Sequence, residues 1–401
     1  MSALWLMLAA PAVGALVLAA VPSLPLAGWL NTAFSAAALA AALWVGETVS
    51  RHGELASTYL RVDAFNVYLL VLTTFVGLTT AIFSRPYMRE VCHQGRLTRR
   101  RMRLYHAMYQ AFLFTMLLAL STDSLGILWV AVEGATLSTV LLVSLYRTPE
   151  SIEAAWKYFI LCGVGIALAL FGTVLIYAAA QGVTGEGDAG LSWHRLYQNA
   201  ARLDPGVMRI AFVFLLVGYG TKVGLVPMHF WLPDAHSEGP TPVSAVLSGL
   251  LLNVALYAVV RLKMIVDGAL AGGPTAQLAG HLMMGFGLIS FLVAVFSLRR
   301  QKDIKRLFSY SSIEHMGLMT FALGMGGPLA TFAALLHMLV HSLAKSAIFV
   351  GVGHASHIAG TQRIERIRGL IRTQPRWVGG CCWGWRPSPA FRPSASSPAS
   401  S

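Results

Sequence analysis

Apolar runs long enough to cross a bilayer follow one another along the chain, at 3–21, 26–46, 64–83, 105–121, 124–145, 156–180, 209–231, 242–263, 280–298, 305–324 and 329–353. About 20 mostly apolar residues suffice for one crossing, so the pattern predicts an all-α polytopic transmembrane bundle of eleven helices. Polar residues fall in the linkers, and the linkers are not alike. Residues 85–103 (RPYMREVCHQGRLTRRRMR), 299–306 (RRQKDIKR) and 357–372 (HIAGTQRIERIRGLIR) are strongly basic, which marks a cytoplasmic side. Counting crossings from there puts the amino terminus outside, 146–157 inside, and the long linker 181–207, with Glu186, Asp188 and Asp204, outside. A miscounted helix would set two of the basic linkers on opposite sides.

Composition agrees with this pattern. The 401 residues are 56% hydrophobic and 12% charged with a mean hydropathy of +0.64, whereas a soluble domain carries charge on about a quarter of its positions. The net charge of +13 is spread over alternate linkers and forms no soluble basic patch, which argues against nucleic acid and for the lipid bilayer as the main partner. The first apolar run has no Lys or Arg before it, so it reads as a retained helix and not as a cleaved signal. Cys92, Cys162, Cys381 and Cys382 have no zinc or disulfide spacing.

The helices group as three in 1–104, five in 105–266 and three in 267–374. A five-helix unit repeated in tandem re-enters the membrane from the opposite side, so helices 9–11 read as the opening of an incomplete inverted repeat. From 375 to 401 the chain turns rich in Pro, Ser, Arg and Trp without an apolar period. That composition fits a disordered tail, either native or translated in a shifted frame, and the Cys381–Cys382 pair with its clustered tryptophans favours the shifted frame.

Three charges lie deep in apolar runs: Glu133 in helix 5, Lys222 mid-way along helix 7 and Lys345 in helix 11. A charge at the bilayer centre costs about 2.5–3.5 kcal/mol on insertion scales, so each needs a partner or a function. Gly218, Gly220, Gly224 and Pro227 weaken the hydrogen-bond ladder around Lys222, which predicts a broken helix 7; unwound backbone is tolerated where it is buried in protein or lines a water-filled cavity. Glu133 and Lys222 form either an electrostatic switch for a proton or a static ion pair between helices. His337, His341 and Lys345 recur every four residues, on one face over about 12 Å of rise, as a proton relay, as interhelical hydrogen-bonding groups or, for the histidines, as weak metal ligands. Ser309, Ser311, Ser312, Glu314 and His315 make half of helix 10 polar, lining a wet path or meeting a partner subunit. Asp234, His236 and Glu238 follow the broken helix at the cytoplasmic mouth, either collecting protons or capping helix 8.

The segments TKVGLVPMHFWLPDAHSEGPTPVSAVLSG, QKDIKRLFSYSSIEHMG and HMLVHSLAKSAIFVGVG resemble the antiporter-like membrane subunits shared by respiratory complex I, membrane-bound hydrogenases and Mrp-type sodium/proton antiporters, over residues 60–374. SSIEHMG and LLLNVALYAVVR are most similar to the F component of hydrogenase-4. The resemblance implies that Glu133 modulates Lys222 and that Lys345 links toward a second channel, and that Asn253 stands where many complex I subunits carry a lysine. It also implies a bacterial-type inner membrane and proton translocation coupled to electron transfer, with sodium/proton antiport or a nonfunctional truncated remnant as the alternatives. The chain carries no iron–sulfur cysteine set and no dinucleotide fingerprint, so iron–sulfur clusters and a nickel–iron or quinone site are expected on other membrane and peripheral subunits.

Overall fold

A computed structural model of the chain describes residues 1–368; the tail anticipated from 375 onward lies outside them. Among the described residues eleven helices have membrane-crossing length, in the order expected, and ten of them are also apolar enough to cross a membrane, the exception being Ile304–Met325 with its polar half. They are α1 (Ser2–Ala20), α2 (Leu24–His52), α3 (Ala64–His93), α4 (Arg99–Ser121), α5 (Leu125–Val143), α6 (Pro149–Thr184), α7, α8 (Thr241–Leu270), α9 (Leu278–Leu298), α10 (Ile304–Met325) and α11 (Gly327–Ala359). Several run well beyond the apolar cores that identify them, and three of these, Ala64–His93, Arg99–Ser121 and Pro149–Thr184, start at a side-chain cap. Asp63, for example, accepts from the backbone amides of Phe65 and Asn66 while Asn66 answers its own amide, a reciprocal cap at the start of α3.

The seventh crossing is divided. Its first piece, α7a (Pro205–Val223), starts with Pro205 behind an Asp204 cap and ends at Gly224, whose φ of +83° is left-handed. The amide of Leu225 then bonds back to the Gly220 carbonyl at 2.9 Å, which closes the helix end. A short turn leads to the second piece, α7b (Trp231–Glu238). The break was expected; its consequence for Lys222 was not, since the lysine sits in the last turn of α7a and not mid-helix.

Helix α8 is the hub. It is buried along nearly its whole length and packs on α7a and α11, while α6 packs on α5, α7a and α7b. A wide helical turn at Leu247–Leu251 interrupts its regular ladder. Helices α9 and α10 pair through small residues. A Cβ built on Gly287 would fall 2.6 Å from the Gly317 carbonyl oxygen, and one on Gly280 would fall 2.6 Å from that of Gly324, so the backbones touch where a larger side chain would hold them apart.

The linkers gather at two ends. The 299–306 linker bonds to the segment after α11 through Ile304 N to Gln362 O and Ile364 N to Lys302 O, Gln94 meets His357 at 3.0 Å, and Arg101 reaches the Tyr146 carbonyl. At the opposite end a short hairpin pairs Leu55–Ala56 with Arg61–Val62, and the 181–207 linker, anticipated as a loop, folds into the short helices Asp188–Leu191 and Trp193–Gln198. There Tyr59 donates to Asp188 at 2.9 Å, an anionic contact that raises the phenol's pKa above its ordinary value.

Candidate functional site

Lys222 is fully buried at the broken end of α7a. Gly224 stops the helix directly after it, and Trp231 of α7b donates to the Thr221 carbonyl at 2.8 Å while stacking on Tyr158 of α6 at 4.6 Å. The break is thus fixed from both sides by one indole. The Lys222 amine donates a short hydrogen bond to Thr136 of α5 and lies 5.4 Å from the Tyr158 ring centre.

Glu133 stands one turn before Thr136 on α5. It is near enough to Lys222 to interact electrostatically, as is Cys162 of α6. Among the described residues no ion pair joins Glu133 to Lys222, and the buried Glu133 Oε2 has no hydrogen-bond partner. The static pair considered from sequence is therefore not formed. The site is thus a buried lysine held by a hydroxyl, with a carboxylate within electrostatic reach that has one buried oxygen unpartnered.

A second cluster surrounds α11. Lys345 is buried, donates to the Phe308 carbonyl at 3.2 Å, and interacts electrostatically with Glu314 of α10. His315 and His337 are 2.9 Å apart between ring nitrogens, and the rings of His315 and His341 are 5.6 Å apart. The three histidines therefore form one group across α10 and α11. The polar half of α10 turns inward as well: Ser312 bonds Ser248 of α8 at 2.8 Å, and Ser309 is buried.

The residues of α7b divide. Asp234 is held by Lys157 at 3.2 Å and Arg306 at 2.5 Å, so it ties α6, α7b and α10 together instead of standing free at a mouth. His236 is buried, stacks on Phe349 of α11 at 4.7 Å, and both of its ring nitrogens are unpartnered. Glu238 accepts from Ser237 and borders a cavity of about 420 Å³ at the end where the basic linkers meet. None of the three caps α8, whose first turn follows Pro240 with no side-chain cap.

Several polar residues, Lys305, His229, Ser244, Tyr257 and Arg261 among them, had not been singled out from sequence. Lys305 is buried and donates to the Gly239 carbonyl at 3.0 Å, and His236 lies within electrostatic reach of both Lys305 and Lys345. His229, in the turn between α7a and α7b, is buried beside Tyr310 with its Nδ1 unpartnered. Along α8 a polar seam runs between the two ends of the molecule. Ser244 bonds the His236 carbonyl at 3.0 Å, and Asn253 donates to Ser342 of α11 at 2.6 Å. Farther along, Arg261 bonds Tyr257 at 3.0 Å and pairs with Asp63 at 2.7 Å. The serine and asparagine spacing on α8 was the available signal. Among the described residues no group of three or more His, Cys, Asp or Glu is arranged to hold a metal ion.

Residues 122–378 match the family model described as "NADH:quinone oxidoreductase/Mrp antiporter, TM". The chain is 50% identical over 374 residues to a hydrogenase-4 component F homolog of Methylacidiphilum infernorum (isolate V4), a match covering 93% of this chain and 77% of that protein. It is 30% identical to an NADH-quinone oxidoreductase subunit of Desulforudis audaxviator (strain MP104C), covering 80% of this chain and 60% of that one. The fold is similar to a chain of the membrane-bound sulfane sulfur reductase, an archaeal respiratory membrane complex, with a TM-score of 0.81 at 23% identity over 94% of this chain and 76% of that one.

Proposed function

Because the chain belongs to the NADH:quinone oxidoreductase/Mrp antiporter transmembrane family, we propose that it is a proton-translocating membrane subunit of a hydrogenase-4-like or NADH:quinone oxidoreductase-like assembly. The observation that carries this reading is the state of Lys222: an amine buried at a helix break, held by Thr136 and unpaired with the nearby Glu133. An amine holds its proton more firmly as a carboxylate approaches and less firmly as it withdraws. Movement of α5 against α7a then becomes uptake or release of a proton. The buried His236, the imidazole group on α10 and α11, and Lys345 offer further protonatable sites toward the α11 side of the bundle.

On this reading α4–α8 form a first transport unit, α9–α11 open a second, and the chain sits in a bacterial-type inner membrane. Electrons are handled by partner subunits carrying iron–sulfur clusters and a nickel–iron or quinone site. The test is Lys222→Ala in the intact assembly, reconstituted in vesicles with a pH-sensitive dye. Proton uptake is expected to disappear, and Lys222→Arg is expected not to restore it, since a guanidinium keeps its charge at any accessible pH. Undiminished pumping in the alanine variant would overturn the proposal. Repeating the assay with and without sodium separates redox-driven proton transfer from sodium/proton exchange.

A further inference from the structure

The basic stretch 85–103 does more than orient the chain. With the start of α2, the end of α3 and the start of α4 it encloses a cavity of about 620 Å³. We propose that this cavity is a binding site for an anionic phospholipid, whose phosphodiester sits among the arginines and whose acyl chains lie along α2 and α3.

Four observations support the assignment. First, the lining carries Arg85, Arg89 and Arg99 together with His93 and His106, and no carboxylate. The other large cavity at this end, by contrast, mixes Arg96 and Lys305 with Glu150 and Glu238. Second, the three arginines are uncompensated: among the described residues none of them forms an ion pair. Arg85 instead lies over the Trp29 ring, its guanidinium carbon 3.4 Å from the ring centre. Third, His106 is almost entirely buried, lines the cavity, and has a buried Nδ1 without a hydrogen-bond partner. A buried ring nitrogen left unpaired in a cationic cavity asks for a polar ligand.

The fourth observation concerns shape. Leu24, Trp29 and Ile82 supply an apolar side to the cavity, and the last two are exposed on the outer surface of the bundle. Gly28 leaves room for the arginine stem, since a Cβ there would lie 3.1 Å from Arg85 Cγ. One side of the cavity is thus cationic and polar while the other continues onto lipid-facing helix surface at the end of the crossings. A free anion would use only the first side. A phospholipid uses both, and basic pockets between transmembrane helices suit anionic headgroups.

The full-length chain is reconstituted into phosphatidylcholine vesicles doped with a photoactivatable phosphatidylglycerol, and cross-linked positions are read by peptide mass spectrometry. Cross-links are expected on 24–29 and 82–106; a scatter over all helices would overturn the site. This arm needs no variant, so it stands even if a substitution impairs folding. Native mass spectrometry then follows phosphatidylglycerol retention, with phosphatidylcholine and inorganic phosphate as competitors. Arg85→Gln, Arg89→Gln and Arg99→Gln are each expected to weaken retention about fivefold, and neither competitor is expected to displace the lipid. Unchanged retention in the three variants overturns the proposal. Displacement by inorganic phosphate would make this a free-anion site, and cross-links to a neighbouring subunit in the assembled complex would assign the cavity to a protein segment; either result also overturns it. None of these readouts depends on proton transfer.

Discussion

At the scale of single residues, a charge inside an apolar run announces itself, and Glu133, Lys222 and Lys345 were visible for that reason alone. Lys305 was not, because it stands in the basic run RRQKDIKR and reads there as one more surface charge; it is buried only because α7b ends at Gly239 and places a carbonyl against it. Asp234 was visible, but its ion pairs were not. Its partners Lys157 and Arg306 are 77 and 72 residues away in sequence, so nothing local distinguished an ion-paired carboxylate from a proton collector. Arg261 is the residue whose role is now most open to measurement. It pairs with Asp63 at 2.7 Å, donates to Tyr257 at 3.0 Å and lies 4.3 Å from the Trp193 ring centre. Arg261→Ala is expected to destabilise the protein by about 2 kcal/mol, because it removes at once the ion pair to Asp63, the bond to Tyr257 and the packing of a buried guanidinium on the Trp193 ring. Arg261→Lys should recover less than half of that, as a point charge cannot serve the carboxylate, the phenol and the ring together. Thermal unfolding in detergent measures both, and a lysine variant as stable as the parent would remove the case for a fork-shaped donor.

At the scale of elements, the order of the eleven helices and the break in the seventh were legible, since apolar length marks ten of the helices and the Gly224–Pro227 pair marks the break, while Ile304–Met325 has the length of a crossing without the apolarity. The position of the break relative to Lys222 was not, because several glycines in GYGTKVG offered themselves and only the packing of Trp231 on Tyr158 selects one. The short helices in 181–207 were hidden for a different reason: four to six residues hold no periodicity to detect. The pairing of α9 with α10 rests on glycines that sequence alone could not match up. Gly280 faces Gly324 and Gly287 faces Gly317, an antiparallel register in which each backbone carbonyl fills the place of the other's side chain. Gly287→Leu is expected to force these helices apart and destabilise the chain by about 1–3 kcal/mol, the usual range for overpacking. The same change at Gly285, where nothing lies within 4 Å of an added Cβ, should have little effect. Since leucine is the better helix former, equal losses at both positions, read as unfolding midpoints in detergent, would mean that close approach does not govern this pair.

At the scale of the whole molecule, the crossing count made a demand that three-dimensional structure could refuse. Every basic linker had to meet the others at one end, and 181–207 had to lie at the opposite end, where it meets the linkers 54–63 and 122–124. The contacts obey: Gln94 with His357, Arg101 with Tyr146 and Ile304 with Gln362 on one side, and Tyr59 with Asp188 and Ser192 with Asp123 on the other. Geometry fixes the grouping, while the sides rest on an expectation from charge bias, by which Lys and Arg near helix ends stay in the cytoplasm. That assignment can be measured in a membrane-embedded chain whose own cysteines have been replaced. A single cysteine introduced at Thr148 or Arg300 is expected to react with an impermeant thiol reagent only after the membrane is opened, and one at Gly187 or Asp204 before it is opened. Reaction in the reverse order would invert the molecule and turn the basic end outward, leaving the grouping of the linkers intact but giving the broken end of α7a the opposite aqueous phase.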